Sequence, residues 1–410
     1  MRCHGDARKR ASADGPRFEV ADIFREHGEA YRRTHALTFE QLKVMGDIET
    51  CRTAVLGGHV DTCDRCGHTV PSYNSCLNRH CPKCQGVNQA KWIELRQART
   101  LPTHYFHVVF TLPEELRSVA RCNRKVIFDM LFKSAAETLL ELGFDKKHLG
   151  GLLGITAVLH TWTRELDFHP HIHCIVTGGG LDEENGKWIC TDPDFLFPVQ
   201  VLSRLFRGKF LAALDIARQR GTLEFEGAAA HLKDRSCFAA LKDALYGKEW
   251  VVYAKRTFGG PMQVFKYLGR YTHRVAIGNY RLISMNDAGV TFKTRGENTV
   301  TLPLEEFIRR FLMHVLPKGF VKIRHYGLKS STNAKTKLEQ ARKIIEANHP
   351  HDDESVTADD LTRNSDIEQL SPPVETAGVL CPRCKVGKMI RTRIPKGASF
   401  QMTPNTENTS

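Results

Sequence analysis

FHPHIHCIV, residues 168–176, places histidine at 169, 171 and 173 in an otherwise apolar run. Successive side chains of a strand point to opposite faces, so His169, His171 and His173 share one face while Pro170 and Ile172 take the other. Two imidazoles flanking one hydrophobic residue make a clamp for a divalent metal, and His171 and His173 are the candidate ligands. The rival pattern H-x-H-x-D-H of metallo-hydrolases is not met, because Cys174, Ile175 and Val176 follow His173. The preceding GITAVLHTW (154–162) is β-rich, and RELDFHP (164–170) between the two runs suits a turn. Neighbouring antiparallel strands are therefore expected.

Outward from this hairpin, HYFHVVFTL (104–112) reads as a strand and 113–142 as a helix that opens on Pro113, Glu114 and Glu115. A helix is expected over 201–220, a strand at WVVYAKRTF (250–258), and a second hairpin at 275–295 turning at Asn286 to Gly289. The connections are too short for regular βαβ units, so the expected class is α+β, built on an antiparallel sheet with flanking helices. A small zinc-stapled domain is expected ahead of it. The divisions expected are 1–100, a basic arm and zinc-binding domain; 101–330, the catalytic domain; 331–375, a helix and acidic linker; and 376–410, a short tail.

Thirteen cysteines with no apparent export signal favour thiolate metal sites over disulfides. Cys63-x2-Cys66 and Cys81-x2-Cys84 form two paired loops whose sulfurs suit one tetrahedral zinc, and Gly67 permits a tight knuckle. Cys51, His59, Cys76 and His80 are the remaining candidates for a second site. Four thiolates leave no position for water, so the zinc is structural, and Arg65, Arg79, Lys83 and Lys91 are candidate phosphate contacts on its domain. The tail pair Cys381 and Cys384 is half a ribbon that must borrow ligands or stay metal-free.

On QVFKYLGRYTHR (263–274), a helix would carry Tyr267 and Tyr271 on one side, four residues apart. Alone, that spacing fits an extension of the core face. Lys266, Arg270, His273 and Arg274 concentrate positive charge around the two phenols, where a phosphodiester would need it, and Lys266, Arg270 and Arg274 are the candidate DNA-binding residues.

The histidine pair, the later Y-x-x-x-Y and the strings HVVFTLP, HPHIHCIV with GGGL, YLGRYTHRVAI, LPKGFVKIRHYGL and YNSCLNRHCPKCQ together resemble the HUH endonucleases. Within these they resemble the two-tyrosine rolling-circle transposases of the insertion-sequence-ninety-one family, over about residues 51–330. The resemblance implies an HUH-type sheet and cleavage and joining of single-stranded DNA at mobile-element ends through a 5′-phosphotyrosine. It makes His171 and His173 the metal pair and Tyr267 and Tyr271 the nucleophiles. HUH sites usually have a third ligand, for which Gln263 and His160 are the candidates. Oxygen and nitrogen donors suit Mg or Mn there, with zinc on the cysteines. Relatives often have Gly-Gln after the HTW string; this chain has Thr163-Arg164, and no role is assigned to that position.

The charge agrees with a polyanionic partner. The chain has 410 residues, 59 Lys+Arg and 46 Asp+Glu, a formal net charge of +13. Eight acids lie in 350–375 against Arg363 alone, so the excess elsewhere is larger. No run reaches bilayer length, no signal peptide or Walker loop is visible, and a cytoplasmic protein without a nucleotide cofactor is expected. The alternatives are a rolling-circle replication initiator or relaxase, and a non-catalytic zinc-containing DNA-binding regulator.

Overall fold

The computed structural model describes residues 18–84, 99–257, 276–348 and 379–398. Two helices come first, α1 (Val20–Thr34) and α2 (Phe39–Thr50). Thr38 caps α2 by accepting from Gln41 N–H, while the Gln41 side chain accepts from the Thr38 backbone, a reciprocal capping box. Strands β1 (Gly58–Cys63) and β2 (Thr69–Tyr73) form a hairpin.

The central region runs β3 (Tyr105–Thr111), α3 (Arg117–Cys122), α4 (Arg124–Phe144), β4 (Leu152–Trp162), β5 (Phe168–Asp182), β6 (Lys187–Cys190), α5 (Val199–Gln219), α6 (Arg235–Gly247) and β7 (Val252–Arg256). After 276 come β8 (Leu282–Asn286), β9 (Gly289–Lys293), β10 (Thr299–Leu302), α7 (Leu304–Met313), β11 (Ile323–Gly327) and α8 (Lys337–Asn348), and last β12 (Met389–Ile394). Among the described residues no helix is long and apolar enough to cross a membrane.

The six-stranded sheet has the order β11-β4-β5-β3-β7, with β6 paired to β5, and every pairing is antiparallel. This is the expected α+β architecture. One face is apolar: Phe106, Val108 and Phe110 of β3 and Ile172, Cys174 and Val176 of β5 pack into a core with Phe128 and Phe132 of α4 and Phe206 and Phe210 of α5. Each fully buried phenylalanine contributes about 2 to 3 kcal/mol, so this face fixes the strand register strongly. The alternate residues of the same strands, including the histidines, therefore stand on the opposite face.

The helix expected over 113–142 is broken. Asn123 is buried between α3 and α4, donating to Val119 and Glu224 carbonyls (3.0 and 2.7 Å) and accepting from Glu224 N–H (2.7 Å). Its side chain satisfies the backbone of the segment that follows α5, at the cost of helix continuity. The expected turn at Asn286 to Gly289 is present, with Gly289 at φ 127°.

A second core joins α1 and α2 to β8–β10 and α7. Phe24, Met45 and Ile48 meet Phe292, Phe307 and Phe311, with Phe24 edge-on to Phe311 at 5.3 Å. Cys51, Cys81 and Cys84 belong to this core. The small sheet β12-β1-β2 lies outside it, and its outer strand comes from the C-terminal tail.

Candidate metal centre and active site

Register brings the histidines together. His160 of β4 stands directly opposite His171 of β5, and residues directly opposite in an antiparallel pair share a face. Ligand nitrogens of His160, His171 and His173 lie within 4.8 Å of one another. His160 is buried and stacks on Trp162 at 4.7 Å; His171 and His173 are half-buried. Of the two candidates for a third ligand, His160 is thus adjacent to the pair, while Gln263 lies outside the described residues, as do Tyr267, Tyr271, Lys266, Arg270 and Arg274.

The hydrogen bonds of the two β5 histidines decide which nitrogen each offers. Nδ1 of His171 donates to the His169 carbonyl at 2.7 Å, so the ring presents Nε2. Nδ1 of His173 lies 2.7 Å from Nε2 of His107 on β3, and the rings stack at 5.0 Å. For His173 to ligate through Nε2, Nδ1 must donate and His107 accept, an outer contact that orients the ligand and fixes its tautomer. Burial pushes His171 down to about 4, and His107 likewise to about 4; burial, then the neighbouring His160, His171 and His107, holds His173 well below the ordinary range. All three rings are neutral at pH 7, as ligation requires.

His169 is turned away: its Nδ1 meets Arg117 at 3.1 Å. His107 was not singled out in the sequence. Its signal was there, since it lies on a strand whose alternate residues form a histidine-facing row, but only the β3–β5 register (Thr111 opposite His171, Val109 opposite His173) reveals that row.

The cysteines group differently from the expected set of Cys63, Cys66, Cys81 and Cys84. Cys51, Cys76, Cys81 and Cys84 form one cluster; Cys63, Cys66, Cys381 and Cys384 form another. The hairpin explains the exchange. Gly58 pairs with Tyr73, so the chain leaves β2 beside the start of β1, close to Cys51, whereas Cys63 and Cys66 sit at the far end of the hairpin. At about 3.3 Å per residue, the five steps of β1 separate the two ends by roughly 17 Å, too far for one ion. Arg52 N–H donates to Asn74 O at 3.0 Å and ties the Cys51 and Cys76 segments together. In the first cluster Cys51 and Cys76 lie 3.5 and 3.6 Å from Cys84, and Cys84 is held well below the ordinary thiol range by hydrogen bonds from Cys51, Cys76 and Cys81.

Neither histidine of the expected second site joins a cysteine. His80 is buried, its Nε2 accepting Leu316 N–H at 3.1 Å and its Nδ1 donating to Asn78 Oδ1 at 3.0 Å. Both nitrogens are committed, and burial pushes the ring down to about 3. His59 lies on β1 with Nε2 3.8 Å from the Asp61 carboxylate. Two of the proposed phosphate contacts are also occupied internally: Arg79 donates to the Phe320 and Pro317 carbonyls (2.5 and 3.1 Å), and Lys83 pairs with Glu19. Arg65 is exposed, and Lys91 is outside the described residues.

Comparison with known proteins gives the site a context. Residues 154–337 match a family model described as "Putative transposase", and residues 23–112 match one described as "Transposase zinc-binding domain". The chain is 45% identical over 388 residues to "Putative transposase y4qJ" of Sinorhizobium fredii (strain NBRC 101917 / NGR234), covering 93% of this chain and 96% of the relative. It is 30% identical over 295 residues to "Transposase for insertion sequence element IS801" of Pseudomonas savastanoi pv. phaseolicola, 70% of each chain. No solved structure matches.

Proposed function

The chain belongs to the insertion-sequence-ninety-one family of transposases, and on that premise we propose that it cleaves and rejoins single-stranded DNA at mobile-element ends. The observation that carries this reading is the cluster of three imidazoles, His160, His171 and His173, on the face of the sheet opposite its apolar core.

Tyr267 and Tyr271 are the proposed nucleophiles. A phenol Oη attacks the scissile phosphorus, the bond from phosphorus to the 3′ oxygen breaks, and the product is a 5′-phosphotyrosine with a free 3′-hydroxyl. The phenol loses one proton and the 3′ oxygen gains one, so no water is consumed. The reverse attack by a 3′-hydroxyl reseals the strand without ATP. Two tyrosines let one strand end stay bound while another is cut. A phenol of pKa about 10 is ionised to roughly one part in a thousand at pH 7, a handicap of about 4 kcal/mol. Lys266, Arg270 and Arg274 are proposed to offset part of it by holding the phosphate and stabilising the phenolate.

His160, His171 and His173 would hold a divalent ion, and three neutral nitrogen donors match Mn better than the harder, oxygen-seeking Mg. Such an ion supplies Lewis-acid polarisation of the phosphate. His107 and the His169 carbonyl set the tautomers of the two β5 ligands. Cys51, Cys76, Cys81 and Cys84, within the segment that matches the zinc-binding family model, would hold a structural zinc, and four thiolates would leave it no open position.

The test pairs Tyr267→Phe with Tyr271→Phe on a labelled single-stranded oligonucleotide carrying an element end. The double variant is expected to bind DNA and form no cut product. Wild-type cleavage by the double variant would remove both tyrosines from the reaction. The regulator reading predicts binding without cleavage for the unaltered protein as well.

A further inference from the structure

The second cysteine cluster draws its ligands from the two ends of the chain. Sγ of Cys63 lies 3.7 Å from Sγ of Cys384, and Sγ of Cys66 lies 3.7 Å from Sγ of Cys381, across 321 and 315 residues of sequence. A disulfide needs about 2.05 Å between sulfurs. A tetrahedral zinc with bonds of about 2.3 Å sets its thiolates about 3.8 Å apart, which is the spacing observed. Cys381 and Cys384 lie beyond both segments that match the family models.

The two halves are built alike. Cys63-Asp64-Arg65-Cys66 is followed by Gly67 at φ 67°, and Cys381-Pro382-Arg383-Cys384 by Lys385 at φ 57°. In each, the left-handed residue turns the chain back, and backbone N–H groups of the knuckle approach sulfur. Arg65 and Cys66 N–H approach Cys63 Sγ at 3.4 and 3.5 Å, and Gly387 N–H approaches Cys384 Sγ at 3.3 Å. Amides aimed at sulfur stabilise thiolate over thiol, the form a metal requires. A side chain at 387 would place its Cβ 2.5 Å from Cys63 Sγ, so the close approach of the two knuckles depends on glycine there.

The flanking backbone is in register with such a site. β12 pairs with β1 from Gly58 opposite Ile394 to Cys63 opposite Met389, so the ladder ends at the cluster. Asp64 N–H donates to the Lys388 carbonyl at 3.1 Å, and Lys388 N–H donates to Asp64 Oδ1 at 2.8 Å. Arg391 grips Asp61 with two bonds, 2.8 and 3.0 Å. The apolar support is small, chiefly Met389 against the cysteines themselves. Three strands with little core need a staple, and closing a loop of more than three hundred residues is where a metal cross-link restricts the unfolded chain most.

We propose that Cys63, Cys66, Cys381 and Cys384 bind a second structural zinc that clasps the C-terminal strand onto the N-terminal hairpin. The site is separate from the Cys51 cluster and from the tyrosine chemistry, so its failure would leave the proposed DNA reaction untouched.

Alkylation of the full, zinc-loaded chain by iodoacetamide, read residue by residue by mass spectrometry, tests this without a variant. Cys381 and Cys384 are expected to react at least roughly tenfold more slowly than the exposed Cys190 and Cys237, and to lose that protection on chelation. Reaction at the rate of Cys190 and Cys237 before chelation would overturn the proposal. Metal analysis gives a second reading: Cys381→Ser/Cys384→Ser is expected to carry one zinc fewer per chain than the unaltered protein. An equal zinc content in the two would equally overturn it.

Discussion

The histidine cluster and the Cys51 cluster are both small sets of metal-binding side chains gathered by secondary structure, yet they are built for opposite ends. Three imidazoles stand on the central sheet, backed by hydrogen bonds to His107 and to a carbonyl, and on the proposed reading would leave coordination positions for a substrate oxygen. Four thiolates surround their own centre and leave none. The sheet beneath the histidines is backed by a phenylalanine-rich core; the Cys51 segment has few apolar residues of its own and leans on the core of α1, α2 and α7. On the proposed reading, ligand number and the source of stability together separate a centre that acts from a centre that holds.

The comparison breaks most visibly if the two clusters answer mutation in the same way. Cys84→Ser should have the largest effect. Structural zinc contributes about 10 to 16 kcal/mol to small zinc modules, more than a domain's whole stability, so loss of one zinc equivalent and a large fall in thermal stability are expected in metal analysis and calorimetry. His171→Ala should instead keep its zinc and its melting temperature while DNA cleavage falls by more than roughly 100-fold. If His171→Ala released zinc or unfolded the chain, the division between the centres would fail.

His107→Ala sharpens the comparison from the side. Loss of an outer partner typically costs about 10- to 100-fold in metal affinity. The expected signature is a higher Mn concentration for half-maximal cleavage, with most of the maximal rate restored at saturating Mn. A purely structural role would lower the maximal rate or the yield and leave the Mn dependence alone.

The smallest effect is on acid stability. His171 ionises near 6.5 in the unfolded chain and at about 4 in the folded one, so between these values the unfolded state binds a proton that the native state does not. The contribution of neutral His171 is complete above pH 6.5 and is lost as pH falls to 4, about 3 kcal/mol in all. Urea titrations with no added divalent ion should show His171→Asn losing less stability than the unaltered protein over that window.

The strand character and alternating histidines were legible in residues 154–176, because period-two patterning on a half-buried sheet is a local property. The turn at Asn286 to Gly289 was legible for the same reason. The break at Asn123 was not, since it exists to satisfy the backbone at Glu224, about a hundred residues away. The pairing of cysteines was not legible either: two C-x-x-C loops fourteen residues apart look like one site until the β1–β2 hairpin carries them to opposite ends. The half-ribbon at Cys381 and Cys384 announced a missing partner, and only β12 says that it is Cys63 and Cys66. Arg79 and Lys83 look solvent-facing in a basic segment and His80 looks like a ligand among cysteines, whereas these three satisfy carbonyls, a carboxylate and an amide inside the fold.

The central claim is the proposal that the chain cuts DNA by covalent attachment to Tyr267 or Tyr271, with the histidine cluster holding the metal. Incubation of the full chain with Mn and a single-stranded element end, followed by tryptic digestion and mass spectrometry of the trapped complex, tests it most directly. The account predicts a nucleotide adduct on the peptide containing Tyr267 or Tyr271, absent in His171→Ala. An adduct on any other residue, or none from folded protein that binds the oligonucleotide, would contradict it.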